Sequence, residues 1–157
     1  MTWQVIAGGL DAGAIWAPRV ATVAARLGDL PMSQAKPENP ALEALVDNYI
    51  AAWNATDPGA RAARVAETWT EGATYRDPMM AGEGHAGIDA MIAGAQTSFP
   101  GLVFRRRGAL DAYGDQIRFS WDLGPEGAAP VAGGTDFAVL KDGRLAVVTG
   151  FLDFAPG

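Results

Sequence analysis

The chain has 157 residues, 49% of them hydrophobic and 19% charged, with a formal net charge of -6 and no cysteine. This is the composition of a folded globular chain, and a single domain of this length buries roughly two-thirds of its unfolded surface. The acidic balance excludes a general nucleic-acid binder, because phosphate backbones attract cationic surfaces. The missing cysteines exclude disulfides, thiolate nucleophiles and sulfur-ligated metals.

Residues 1–37 read differently from the rest, rich in Ala, Val and Gly and ending in the polar stretch Ser33-Gln34-Ala35-Lys36-Pro37. A short helix is expected around Pro18–Leu27, with Val20, Val23, Ala24 and Leu27 on one face. We read residues 1–37 as a loosely attached N-terminal extension, with Met32 as an alternative natural start, and residues 38–157 as the domain. Residues 1–15 carry no Lys or Arg, and Asp11 interrupts the apolar run, so no export signal is expected. No apolar stretch approaches membrane-spanning length, and a soluble, cytoplasmic protein is the expectation.

Asn39-Pro40 then announces a helix, a capping side chain followed by proline at the first helical position. Leu42, Leu45, Val46, Tyr49, Ile50 and Trp53 follow at the spacing of one apolar helix face, ending near Asn54. Asp57-Pro58 starts a second helix, with Ala62, Val65, Ala66 and Trp69 on one side and Gly72 as its stop. A short strand, Ala73–Asp77, leads into Pro78 and a glycine-rich turn. A third helix carries Ile88, Met91, Ile92, Ala95 and Phe99 and ends at Pro100-Gly101.

From residue 102 the period changes to two. Leu102–Ala112 is a strand, Gly114-Asp115 a turn, and Ile117, Phe119, Trp121 and Leu123 alternate with polar residues on a half-buried antiparallel strand. Gly124–Gly134 reads as a loop. Thr135–Lys141 and Arg144–Phe154 flank Asp142-Gly143, a strong hairpin signal. The order α-α-β-α-β-β-β-β predicts an α+β fold. The basic run Arg105-Arg106-Arg107 alternates faces on its strand, which predicts a solvated strand edge rather than a continuous basic patch.

Several motifs have simple structural readings. Gly82-Glu83-Gly84-His85-Ala86-Gly87 matches G-x-G-x-x-G, but hairpins follow it instead of a parallel β-α-β unit. The glycines are read as serving a tight strand-to-helix crossing. His85 is the single histidine, so a multi-histidine zinc site is excluded, and a polar role at a helix entrance is expected. Neither a G-x-S-x-G elbow nor a P-loop occurs.

Three polar residues remain on faces that should point inward. Tyr49 sits within the first helix's apolar stripe, Asp77 follows Ala73 and Tyr75 on one strand face, and Asp136 shares a face with Ala138 and Leu140. A buried aspartate is costly unless it is paired, protonated or functional. Each also has a structural reading: Tyr49 as core with a bonded hydroxyl, Asp77 as a turn former before Pro78, Asp136 as a strand-edge residue.

These segments resemble the nuclear-transport-factor-2-like superfamily, and within it the SnoaL-like and ketosteroid-isomerase-like branch. The resemblance rests on Leu45-Val46-Asp47-Asn48-Tyr49-Ile50-Ala51-Ala52-Trp53-Asn54, on Ala73-Thr74-Tyr75-Arg76-Asp77-Pro78, and on Gly84-His85-Ala86-Gly87-Ile88. It continues from Gly134-Thr135-Asp136 through Asp142-Gly143-Arg144 to Gly150-Phe151-Leu152-Asp153. It implies a cone-shaped fold, three helices on a curved, mixed but mostly antiparallel sheet with an internal pocket. It also implies a general base at Asp77, with Tyr49 and a protonated Asp136 donating hydrogen bonds to an enolate oxygen. A neutral, hydrogen-bond-donating carboxyl in an apolar site of this kind is a known device of such isomerases.

The function expected on that basis is cofactor-free proton abstraction from a small hydrophobic carbonyl compound, giving isomerisation or aldol-type cyclisation. Trp53, Trp69, Met79, Met80 and Trp121 are candidate pocket or core residues. No cofactor or metal is expected, and the resemblance implies a homodimer joined through the sheet. The rivals are a non-catalytic ligand-binding or dimerisation module and an epoxide hydrolase of the limonene type. The latter's Asp-Arg-Asp group would draw on Arg118, but Ser120 and Gly150 stand where it needs acids.

Overall fold

A computed structural model describes residues 39–156, and the readings made for residues 1–37 lie outside them. The described residues form three helices and a six-stranded open sheet. Helix α1 spans Pro40–Asn54. Asn39 caps it as expected, its Oδ1 accepting from the amides of Ala41 and Leu42 at 3.2 and 3.3 Å. Its buried face is Leu45, Val46, Tyr49, Ala52 and Trp53.

Helix α2, Pro58–Thr68, is capped by Asp57, whose Oδ2 accepts from the Ala60 amide at 2.8 Å. Two expectations change here. The helix ends at Thr68, and Gly72 lies inside the strand that follows, because Trp69 already pairs with Leu145 in the sheet. Its buried residues are Arg61, Val65 and Thr68, while Ala62 and Ala66 are exposed. The rotation has a chemical cause. Arg61 Nε donates to Asp89 Oδ1 at 2.8 Å, so a partly buried ion pair takes the place expected of alanine.

Strand β1 (Trp69–Arg76) is followed by a three-residue strand, β2 (Ala81–Glu83), where only a turn was expected. The two pair antiparallel, and Asp77 N–H donates to the Met80 carbonyl at 3.0 Å across the turn between them. Three residues are too few to carry a period. Helix α3 spans Gly84–Ser98 and buries Ile88, Ile92 and Ala95. Gly82 permits the expected close crossing: a Cβ there would stand 3.0 Å from the Gly87 carbonyl oxygen and 3.1 Å from Ile88 Cα.

Strands β3 (Leu102–Tyr113), β4 (Gln116–Pro125), β5 (Ala132–Lys141) and β6 (Arg144–Phe154) form an antiparallel meander. The stretch expected as a loop over 124–134 is shorter, since β4 runs to Pro125 and β5 begins at Ala132. Asp142 and Gly143, at φ 52 and 74, make the β5–β6 turn with the left-handed backbone such a hairpin needs. The sheet order is β2-β1-β6-β5-β4-β3, with β1 and β6 parallel and every other pair antiparallel. This is the mixed α+β sheet expected.

The helices cover one face of the sheet, and the core between them includes Val46, Tyr49, Trp69, Ile88, Ile92 and Phe119. Burying side chains of this size contributes roughly 1.5–3 kcal/mol each. On edge strand β3 the three arginines alternate as expected. Arg106 pairs with Glu43 and Asp47 of α1, and Arg107 pairs with Asp122 and Asp153 across the sheet. No helix among the described residues is long and apolar enough to cross a membrane.

Candidate active site

The pairing of β1, β6 and β5 sets three positions in one row. Arg76 is opposite Thr149 and Gly150 is opposite Asp136, so Asp77, Gly150 and Asp136 follow one another across the sheet. The row works because its middle member lacks a side chain. A Cβ on Gly150 would stand 2.9 Å from Asp136 Oδ1, 3.1 Å from Asp77 Cβ and 3.2 Å from Tyr75 Oη. Two acids and a phenol thus meet over one glycine.

Asp136 is fully buried. Its Oδ2 accepts a 2.5 Å hydrogen bond from Tyr49 Oη, and its Oδ1 accepts from Trp121 Nε1 at 3.1 Å. Burial lifts its carboxyl from the ordinary 3.8 to about 6, with the two donors pulling the other way and the charges of Asp77 and Asp153 adding to the rise. Burial, and then the Asp136 charge, push the Tyr49 phenol well above the usual tyrosine range. Tyr75 is pushed up in the same way by burial and by Asp136 and Asp77. Both phenols are therefore hydrogen-bond donors, not acids.

Asp77 is half-buried in the β1–β2 turn. Its Oδ1 accepts from the amides of Met79 and Met80 at 2.7 and 2.8 Å, and its Oδ2 accepts from Tyr75 Oη at 2.8 Å. Asp77 thus closes the turn before Pro78 and also faces inward. Tyr75, two residues before Asp77 on the same strand face, was not singled out from sequence, although strand alternation places it there.

A cavity of about 450 Å³ opens beside this group. Asp77, Tyr49 and Tyr75 line it together with Trp53, Trp121, Met79 and Met80. Asp77 is the one ionisable carboxyl on its wall among the described residues. Phe99, Phe104, Leu152 and the tail residues Ala155 and Pro156 add to the apolar lining, none of them legible as pocket residues in the sequence. Of the candidate pocket residues, Trp69 is placed differently. It is fully buried against the Tyr49 ring, 5.2 Å between centroids, and belongs to the core behind the wall. Asp136 also stands behind the wall, sealed by Tyr49 and Trp121.

Other candidates fall outside the cavity. His85 Nε2 sits 2.9 Å from the Trp69 carbonyl at the entrance of α3, and Asp89, its possible partner, is committed to Arg61. Arg118 lies on the exposed face of β4 and pairs with Asp111 at 3.2 Å, so the epoxide-hydrolase reading lacks its arginine at the cavity.

The SnoaL-like domain model matches residues 46–148. The chain belongs to the SnoaL-like family, and through it to the nuclear-transport-factor-2-like superfamily. Among solved structures, it is similar to a candidate isomerase of the SnoaL-like family from Agrobacterium tumefaciens. Identity is 42%, coverage 74% of this chain and 100% of that one, and the TM-score 0.70. It shares its fold with a candidate SnoaL-like polyketide cyclase from Jannaschia sp. CCS1, at 20% identity, 77% and 91% coverage and a TM-score of 0.60. The same holds for a candidate ketosteroid isomerase from Kribbella flavida, at 21% identity, 75% and 82% coverage and a TM-score of 0.54. No protein of curated function matches the sequence.

Proposed function

We propose that this protein is a cofactor-free enzyme that uses Asp77 as a general base on a small, uncharged, hydrophobic carbonyl compound. The observation carrying this reading is the position of Asp77, a carboxylate held by three hydrogen bonds at the wall of an otherwise apolar cavity. A carboxylate has about four acceptor sites, so three donors fix its orientation and leave one site open for an incoming proton. The base breaks a C–H bond α to the carbonyl, and the electron pair moves onto the oxygen as an enolate. Return of the proton at another carbon gives isomerisation, and attack of the enolate on a second carbonyl gives aldol-type cyclisation. The similarity to a candidate SnoaL-like isomerase supports this class of reaction.

Asp136 acts through Tyr49 in this reading. Its carboxyl holds the Tyr49 hydroxyl by a 2.5 Å hydrogen bond and so fixes the ring that lines the cavity. The reading includes a homodimer joined through the outer sheet face, where Phe137 and Phe151 are about half exposed with ring centroids 5.8 Å apart.

A second reading, a non-catalytic ligand-binding module, is favoured by one observation: Asp136 does not reach the cavity. Proton–deuterium exchange on a panel of cyclic enones and β-keto esters separates the two. The wild type is expected to accelerate exchange on at least one compound, and Asp77→Asn to lose that acceleration. Equal slow exchange by both proteins on every compound leaves the binding module.

A further inference from the structure

We propose that Tyr75 is the oxyanion donor of this site, its hydroxyl passing from Asp77 to the substrate oxygen as the carboxylate takes up the α-proton. The inference rests on the base role proposed for Asp77, and it assigns catalysis to a residue that the family resemblance does not point to.

The two tyrosines at the cavity differ in what their single hydroxyl proton is doing. Tyr49 is bound at 2.5 Å to Asp136, whose other oxygen has only Trp121 as donor. Turning the Tyr49 hydroxyl away from an ionised Asp136 would leave a buried carboxylate with one hydrogen bond, which is costly. Tyr75 is bound at 2.8 Å to Asp77 Oδ2, a group whose negative charge disappears in the proposed step. Its bond weakens at the moment a donor is needed elsewhere.

The geometry of Asp77 also decides which oxygen receives the proton. Oδ1 accepts from two backbone amides, and Oδ2 accepts from Tyr75 alone. With about two acceptor sites on each oxygen, the open site is on Oδ2, beside the Tyr75 hydroxyl. As the substrate C–H bond breaks, its proton forms an O–H bond on Oδ2 and its electron pair leaves a negative charge on the carbonyl oxygen. Asp77 becomes neutral and a poorer acceptor. The Tyr75 hydroxyl rotates about its Cζ–Oη bond toward the new oxyanion without losing its proton. Burial and the Asp136 charge hold that phenol in its protonated form throughout. Re-protonation of carbon restores the Asp77 charge and the resting hydrogen bond.

Two measurements test this. The first is α-proton exchange of 2-cyclohexenone at neutral pH by the wild type, Tyr75→Phe, Tyr49→Phe and Asp77→Asn. Removing an oxyanion donor typically costs about 10²–10³ in rate, and that loss is expected for Tyr75→Phe, with a smaller one for Tyr49→Phe. The second needs no turnover. It reads binding of 2-naphthol by fluorescence in Asp77→Asn, where a neutral side chain imitates the protonated base. The naphtholate form is expected to bind there, and to bind at least about 10-fold more weakly when Tyr75→Phe is added. Tyr75→Phe exchanging at the wild-type rate while Asp77→Asn is inactive overturns the Tyr75 assignment and leaves the base in place. Unchanged naphtholate affinity on adding Tyr75→Phe overturns it equally. Wild-type exchange by Asp77→Asn overturns the base reading and this inference with it.

Discussion

Asp77 and Asp136 stand on either side of Gly150 in one row of the sheet, close enough that a methyl group on the glycine would touch both. The Asp77 charge adds to the rise that burial imposes on the Asp136 carboxyl, and each acid has recruited a tyrosine hydroxyl. The site is therefore two acid–phenol pairs back to back, one sealed in the core and one at the cavity.

Gly150→Ala tests that spacing. The added methyl would stand 2.9 Å from an Asp136 oxygen and 3.1 Å from Asp77 Cβ, inside contact distance. Overpacking of this kind typically costs about 1–3 kcal/mol. Thermal unfolding should show that loss, and proton exchange should fall further than stability alone explains, because the Asp77 carboxylate is displaced.

Asp136 predicts a pH dependence of stability. The folded carboxyl keeps its proton to about pH 6, whereas an ordinary one loses it near 3.8. Between those values the folded state binds more protons, so this residue's contribution to stability falls as pH rises and levels off above about 6. The shift corresponds to a loss on the order of 3 kcal/mol. Urea midpoints of the wild type relative to Asp136→Asn should decline from pH 4 to 7. A constant difference would show that the buried carboxyl ionises freely.

Tyr49→Phe removes one of the two donors holding the Asp136 anion. The Asp136 carboxyl should then titrate higher still, by about one unit for a lost bond of roughly 1.5 kcal/mol to a charged group. Carbon NMR of the labelled carboxyl reads this directly.

Much of this arrangement is legible in the sequence because its signals are periodic. Tyr49 interrupts an apolar helix stripe, and Asp136 shares a strand face with Ala138 and Leu140, so both were placed inward. What was not legible is how far inward. Strand alternation assigns a face but not a depth, and Asp136 lies behind the cavity wall because Tyr49 and Trp121 close over it. On the α2 face Val65 and Trp69 are buried as expected, but Arg61 takes the place of Ala62, because an arginine is counted as a surface residue until its partner Asp89 is known. That partner is 28 residues away in sequence, beyond any local pattern.

The same ion pair supplies a control on stability without chemistry. Arg61 is buried and also donates to Gln96 Oε1 at 3.3 Å. Asp89→Asn should destabilise the protein by about 2 kcal/mol, less than the ~3–5 kcal/mol for a fully buried partner because Asp89 is partly exposed. Chemical denaturation measures the loss, and the exchange rate per folded molecule should be unchanged.

The claim that a carboxylate at position 77 takes the substrate proton is tested most directly by replacing the side chain and supplying the carboxylate from solution. Asp77→Gly should lose enone exchange, and added formate should restore it in proportion to its concentration. Full wild-type exchange by Asp77→Gly without formate would contradict the account.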